Sequence, residues 1–214
     1  MSSPSPKNQV IVWTGLALVI GAIAVSYLRS TLEGPPLQVF GSVPDFALTN
    51  QLGRPVRLRD LAGQAWICDV IFTRCPTQCP LMTQLMAKIQ KALPADEPVK
   101  LVSLTADPEY DRPDILRKYG EKYGAENQRW MFLTGDKPEI NHLAASGLKF
   151  SVADKKPSER ESEKDLFIHT TKVVLVDRTG RIRGWYSTED GDSAAKIAAA
   201  ARRLARESAT MTAN

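Results

Sequence analysis

The stretch Ala65-Trp66-Ile67-Cys68-Asp69-Val70-Ile71-Phe72-Thr73-Arg74-Cys75-Pro76-Thr77-Gln78-Cys79 decides the fold. Its first eight residues, Ala65–Phe72, are apolar apart from one aspartate, the pattern of a strand buried on both faces. Beyond the cysteines, Leu81, Met82, Leu85, Met86 and Ile89 recur at helical spacing, so a helix is expected from near Pro80 to Leu93. A buried strand therefore runs into two cysteines at the mouth of a helix. If that helix begins near Cys75, thiols four residues apart share one face, about 5–6 Å from each other.

Outward from this unit the chain alternates. Upstream, Asp45–Thr49 and Pro55–Leu58 flank Asn50-Gln51-Leu52-Gly53 and predict a hairpin. Downstream come a strand over Val99–Thr105, a helix over Pro113–Tyr123 and a short strand over Trp130–Leu133. Asp136 is expected to cap a helix through Ala145, with Pro138 in its first turn and Gly147 just past its end. Ala153–Asp165 is dense in charge with no apolar period and reads as a solvated, mobile insertion. Lys172–Asp177 and Arg181–Tyr186 form a second hairpin around Arg178-Thr179-Gly180, and Asp192 and Ser193 open an Ala-rich helix to about Arg206. Strands alternating with helices imply a sheet with helices packed on its faces. A strand entering a cysteine motif, with a late ββα, is the layout of a thioredoxin-like α/β domain, here assigned to residues 40–207 with a frayed tail at 208–214.

The first 39 residues read differently. Val10–Leu28 carries no charged side chain and has Trp13 and Tyr27 near its ends, as expected of one transmembrane helix over residues 10–28. A cleaved signal peptide, with Ala22-Ile23-Ala24 as its processing site, is the competing reading. Residues 1–9 then form a cytoplasmic amino terminus, and residues 29–39, with Gly34-Pro35-Pro36, a linker. The net charge of +4 is modest and acids are interleaved with bases, so no basic stripe marks a nucleic-acid partner.

The chemistry rests on few residues. A helix amino terminus favours thiolate, and thiolates are soft ligands that select Cu(I), while imidazole suits copper in either oxidation state. The same two thiols, Cys75 and Cys79, could equally close a disulfide. His169 stands just before the strand Lys172–Asp177, after the insertion, where it offers a third ligand. Asp69, in mid-strand six residues before Cys75, should have a raised pKa, and its likeness to the buried aspartate of thioredoxins implies proton transfer in thiol–disulfide exchange; alternatively it is bonded to Arg74 or Lys172. Cys68 is expected as inert core, and a thiol peroxidase would require it as resolving cysteine. Met82 and Met86 are read as core, and His142 as solvent-facing. Asp107 and Asp111 are expected to shape a turn and cap the next helix. Arg74 either holds thiolate charge or is simply exposed.

From Phe40 to Ala200 the chain resembles the SCO/SenC family, membrane-anchored copper chaperones for cytochrome c oxidase assembly. The resemblance rests on Phe72-Thr73-Arg74-Cys75-Pro76 through Cys79-Pro80, Ser103–Pro108, Asp111-Arg112-Pro113, Leu133-Thr134-Gly135 and His169-Thr170. It implies that Cys75, Cys79 and His169 bind copper, as Cu(I), Cu(II) or both. It implies further that the cargo passes to a copper-bearing oxidase subunit, or is exchanged with another copper chaperone. The same likeness implies an anchor in the inner membrane and a domain facing the periplasm. It makes the protein a metallochaperone rather than an enzyme, with a thiol–disulfide reductase as the alternative, using Cys75, Cys79 and Asp69. Thr77, Ile168 and Asp69 depart from the pattern, since many members carry acids at the first two positions and an aromatic at the third.

Overall fold

The structure, a computed structural model, describes residues 13–24, 37–150, 153–154, 167–168, 171–187 and 192–207. It divides at residue 37 into two units. The first contains helix α1 over residues 13–24, whose side chains are exposed. At about 1.5 Å per residue such a helix is near 18 Å long, short of the roughly 30 Å of a hydrocarbon core. Among the described residues no helix is long and apolar enough to cross a membrane. The transmembrane helix expected over 10–28 is therefore not shown, and its two ends lie outside the described residues.

The second unit is built on an eight-stranded sheet in the order β1-β10-β9-β4-β5-β6-β2-β3. Its centre is β4 (Ala65–Ile71), every residue of which is buried, beside β5 (Val99–Thr105) in parallel. β5 in turn runs parallel to β6 (Trp130–Thr134). Two successive steps in one direction, each right-handed, put the connecting helices on a single face. These are α2 (Gln78–Ala92) and α3 (Pro113–Lys122). They are joined there by the Thr83 and Tyr119 hydroxyls at 2.8 Å and by Gln90, which donates to the Gly124 carbonyl. Helix α5 (Ser193–Arg206) packs against α2 and β4 on the same face. The mixed α/β architecture expected of a thioredoxin-like domain is thus present.

Both expected hairpins form. β2 (Ala47–Asn50) pairs with β3 (Pro55–Arg57), and the Asn50 side chain closes the turn by accepting from the Leu52 and Arg54 amides. β9 (Lys172–Val176) pairs with β10 (Arg181–Ser187), and Asp177 holds their turn through the Thr179 and Arg181 amides and the Arg183 guanidinium. β9 is also the antiparallel neighbour of β4, with Cys68 opposite Val174. The entry to β9 therefore lies at the end of the sheet where β4 runs into the cysteines.

Three local expectations change. Cys75 is not helical: α2 opens at Gln78, with Thr77 at its N-cap position but making no side-chain cap. The fourth helix, α4 (Lys137–Asn141), continues as a π-helical turn over His142–Gly147, and Asp136 makes no side-chain cap. Gly147 is not its left-handed stop; that conformation falls on Lys149, at φ 60°. Gly147 is needed for space instead, since a Cβ there would lie 2.8 Å from the Pro44 ring. The insertion is not wholly irregular: β7 (Ala153–Asp154) pairs with β8 (Phe167–Ile168), while residues 155–166 lie outside the described set. A two-residue strand β1 (Gly41–Ser42), which no periodicity could signal, adds to β10 at the sheet edge.

Candidate metal centre

The two cysteines are brought together by backbone geometry. Chain reversal after β4 places the Cys75 amide on the Phe72 carbonyl at 3.2 Å. Cys79, one residue inside α2, donates its amide to the Cys75 sulfur at 3.4 Å, and Phe72 donates its amide to the Cys79 sulfur, also at 3.4 Å. The Cys75 sulfur thus takes up one of the helix's free amides, the duty an N-cap hydroxyl usually performs. All three cysteines are free thiols and all are buried. Cys75 is 6% exposed and Cys79 1%, so the pair faces inward.

This arrangement overrides the helix-terminus argument for Cys79. Its thiol is pushed well above the ordinary value, first by the hydrogen bond with Cys75 and then by burial. The charges of Cys75 and Asp69 push the same way, and the Phe72 amide opposes them only partly. A soft cation that replaces the shared proton removes both leading penalties, so metal binding here expels protons.

Asp69 is fully buried and bonded to neither Arg74 nor Lys172. Its Oδ1 accepts from Ser103 Oγ at 2.6 Å, and that hydroxyl accepts from Trp130 Nε1 at 2.9 Å. Its Oδ2 has no partner among the described residues. Burial raises its pKa to about 7 against the pull of the Ser103 bond. Ser103 stands directly across the β4–β5 register from Asp69, a pairing invisible before the register is known.

Other expectations sort cleanly. Cys68, Met82 and Met86 are core, each at most 2% exposed, and His142 is exposed. His169 lies outside the described residues. Among the described residues no group of three or more His, Cys, Asp or Glu could hold a metal ion. Ile168 belongs to β8, directly before it.

Asp107 and Asp111 shape the expected turn, the Asp111 amide bonding the Asp107 carbonyl at 2.8 Å, but neither side chain caps the next helix. Asp111 accepts from the Thr73 amide at 3.0 Å, from the Thr73 hydroxyl, and from the Thr105 hydroxyl at 2.6 Å. Helix α3 begins from Arg112 with no side-chain cap. Arg74 neither faces the thiols nor hangs free: its Nε and Nη2 donate to Asp107 Oδ2 at 3.0 and 2.5 Å, with Tyr110 stacked 4.3 Å away. The Asp-rich turn 107–111 was visible in sequence, but an acid before a helix reads first as its cap. Burial pushes the Asp111 pKa up despite its three donors. Asp111→Ala strands the Thr73 amide and should destabilise the domain by about 3 kcal/mol. Denaturant unfolding checks this, with faster amide exchange expected at Thr73; unchanged stability and exchange would contradict it.

Comparison with known proteins adds identity to this geometry. The family model described as SCO1/SenC matches residues 37–206. The SCO1 protein homolog of Bacillus subtilis is 39% identical over 142 residues, spanning 65% of this chain and 70% of that protein. A Stutzerimonas stutzeri protein named for copper binding is 33% identical over 147 residues, 67% of this chain and 68% of its own. The solved structure of BsSco, a member of the Sco family of cytochrome c oxidase assembly proteins, superposes with a TM-score of 0.69 at 30% identity. That match covers 81% of this chain and all of BsSco.

Proposed function

We propose, from the premise that this chain belongs to the SCO1/SenC family, that it carries copper on Cys75, Cys79 and His169 and hands it to a cytochrome c oxidase subunit. The observation that carries this is the hydrogen-bonded convergence of the Cys75 and Cys79 sulfurs at the mouth of α2. Two thiols sharing one buried spot are soft donors suited to Cu(I). His169 stands three residues before β9 in the sequence, and β9 begins at the end of the sheet where β4 runs into the cysteines. Copper is the cargo, so the site must both hold and release it. The Stutzerimonas relative supports copper, and BsSco supports a place in oxidase assembly. Tethering through residues 10–28, with the domain on the periplasmic side of the inner membrane, completes the proposal.

The test is an anaerobic titration of the reduced full chain with Cu(I) against a chromophoric chelator. One equivalent per chain, weakened in His169→Ala, is expected. Absence of competition, or equal affinity in His169→Ala, would overturn the three-ligand site.

One observation favours a second reading, thiol–disulfide reduction: Asp69 Oδ2 has no partner among the described residues, and its pKa of about 7 suits proton exchange. A reductase needs Cys75, Cys79 and Asp69 but not His169. The two readings part on whether His169→Ala or Asp69→Asn abolishes activity.

A further inference from the structure

The loop that carries Cys75 is held from outside by two consecutive residues, and the two holds differ in kind. Thr73 is bound through amide and hydroxyl by Asp111, which is wholly buried. Arg74, the residue next to Cys75, is bound by Asp107 and covered by Tyr110. That second hold reaches the surface, with Arg74 37% and Tyr110 43% exposed, although Asp107 is almost buried. Both aspartates belong to one compact turn after β5. The Asp111 amide bonds the Asp107 carbonyl at 2.8 Å, the Asp107 amide bonds Thr105 Oγ1 at 3.0 Å, and the Ala106 amide bonds the Ile71 carbonyl at 2.8 Å. The turn is thus fixed to the end of β4 and can act as a rigid jaw against the cysteine loop.

The consequence concerns release. The thiols face inward at 6% and 1% exposure, so a recipient's ligands reach an ion between them only if Cys75 swings outward. Thr73 and Arg74 fasten the backbone immediately before Cys75, so an outward swing of that loop works against both holds. Thr73 is fastened to a buried carboxylate, whereas the Arg74 hold is solvent-facing and open to competition by another charge. Resting on the copper-carrying reading above, we infer that Asp107, Arg74 and Tyr110 form a surface latch that sets the rate of copper release. Asp107 and Tyr110 are positioning residues, touching no ligand themselves. A charge-assisted contact of this kind controls dissociation more than association, by about 10-fold for one such pair.

The test uses the reduced full chain loaded with one Cu(I), mixed with excess bathocuproine disulfonate while transfer is followed in time. Asp107→Asn should release copper about 10-fold faster than wild type with uptake unchanged. Tyr110→Leu, at an exposed position that should leave folding intact, should act in the same direction but less. Raising salt should speed release from wild type by screening the half-exposed pair, and this dependence should vanish in Asp107→Asn. A merely structural role would not move the salt dependence, and denaturant unfolding of both variants supplies the stability control. Release within about two-fold of wild type in both variants, or salt dependence retained in Asp107→Asn, would overturn the latch. A wild type that takes up no Cu(I) would overturn the copper-carrying reading and the latch with it. Tight uptake with unaltered release would overturn the latch alone.

Discussion

Cys75→Ser and Cys79→Ser should each cost about 10²–10³-fold in Cu(I) affinity. A structural zinc site of four thiolates and imidazoles is worth about 10–16 kcal/mol, or about 2.5–4 kcal/mol per ligand, and a loss of the same order is expected for Cu(I) here. A hydroxyl replaces the soft donor with a hard one that does not ionise at neutral pH. The folded state should tolerate both changes, because the amide bond that each sulfur accepts is one that a serine oxygen can also accept. The losses should not add: once one thiol is gone, the remaining one no longer forms the chelate. A competition titration of the two single variants and the double variant checks this. Retention of wild-type affinity by either single variant would place the cargo elsewhere.

The second large effect is on stability. The folded pKa of Asp69 is about 7, above its ordinary 3.8, so the native state holds a proton that the unfolded chain has already lost between these values. Stability from this group is complete below about pH 4 and falls as pH rises through 7. A shift of about 3 units corresponds to about 4 kcal/mol lost across that window. Asp69→Asn keeps an acceptor for Ser103 but carries no charge, so its curve should be flat where the wild type declines. The variant should be the more stable above pH 7, less the cost of one amide N–H that inherits the unpartnered Oδ2 position. Denaturant unfolding of both proteins at pH 5 and pH 8 gives the comparison. Parallel losses in the two would mean that Asp69 stays ionised in the fold.

Much of the architecture was legible because it follows from short-range pattern. The apolar run of β4, interrupted only by Asp69, the Leu-Met stripe of α2 and the Arg178-Thr179-Gly180 turn each fix an element by themselves. What failed was set by long-range contact. Nothing local to Gly147 reports the Pro44 ring against it, and nothing local to Asp111 reports that its carboxylate serves Thr73, 38 residues back. Helix capping was the wrong inference there because an acid before a helix has two uses, and only the fold selects one. The thiols show the same limit. Their nearness was readable from spacing, but the helix terminus argued for an easily ionised pair. Burial and the shared hydrogen bond instead raise Cys79.

Two sulfurs and one imidazole are the ligand set proposed for copper, and X-ray absorption on the Cu(I)-loaded full chain reads that set without an intermediary. Two sulfur scatterers and one nitrogen are expected in the wild type, with the nitrogen lost in His169→Ala. A first shell of sulfur alone, or a nitrogen that persists in that variant, would contradict it.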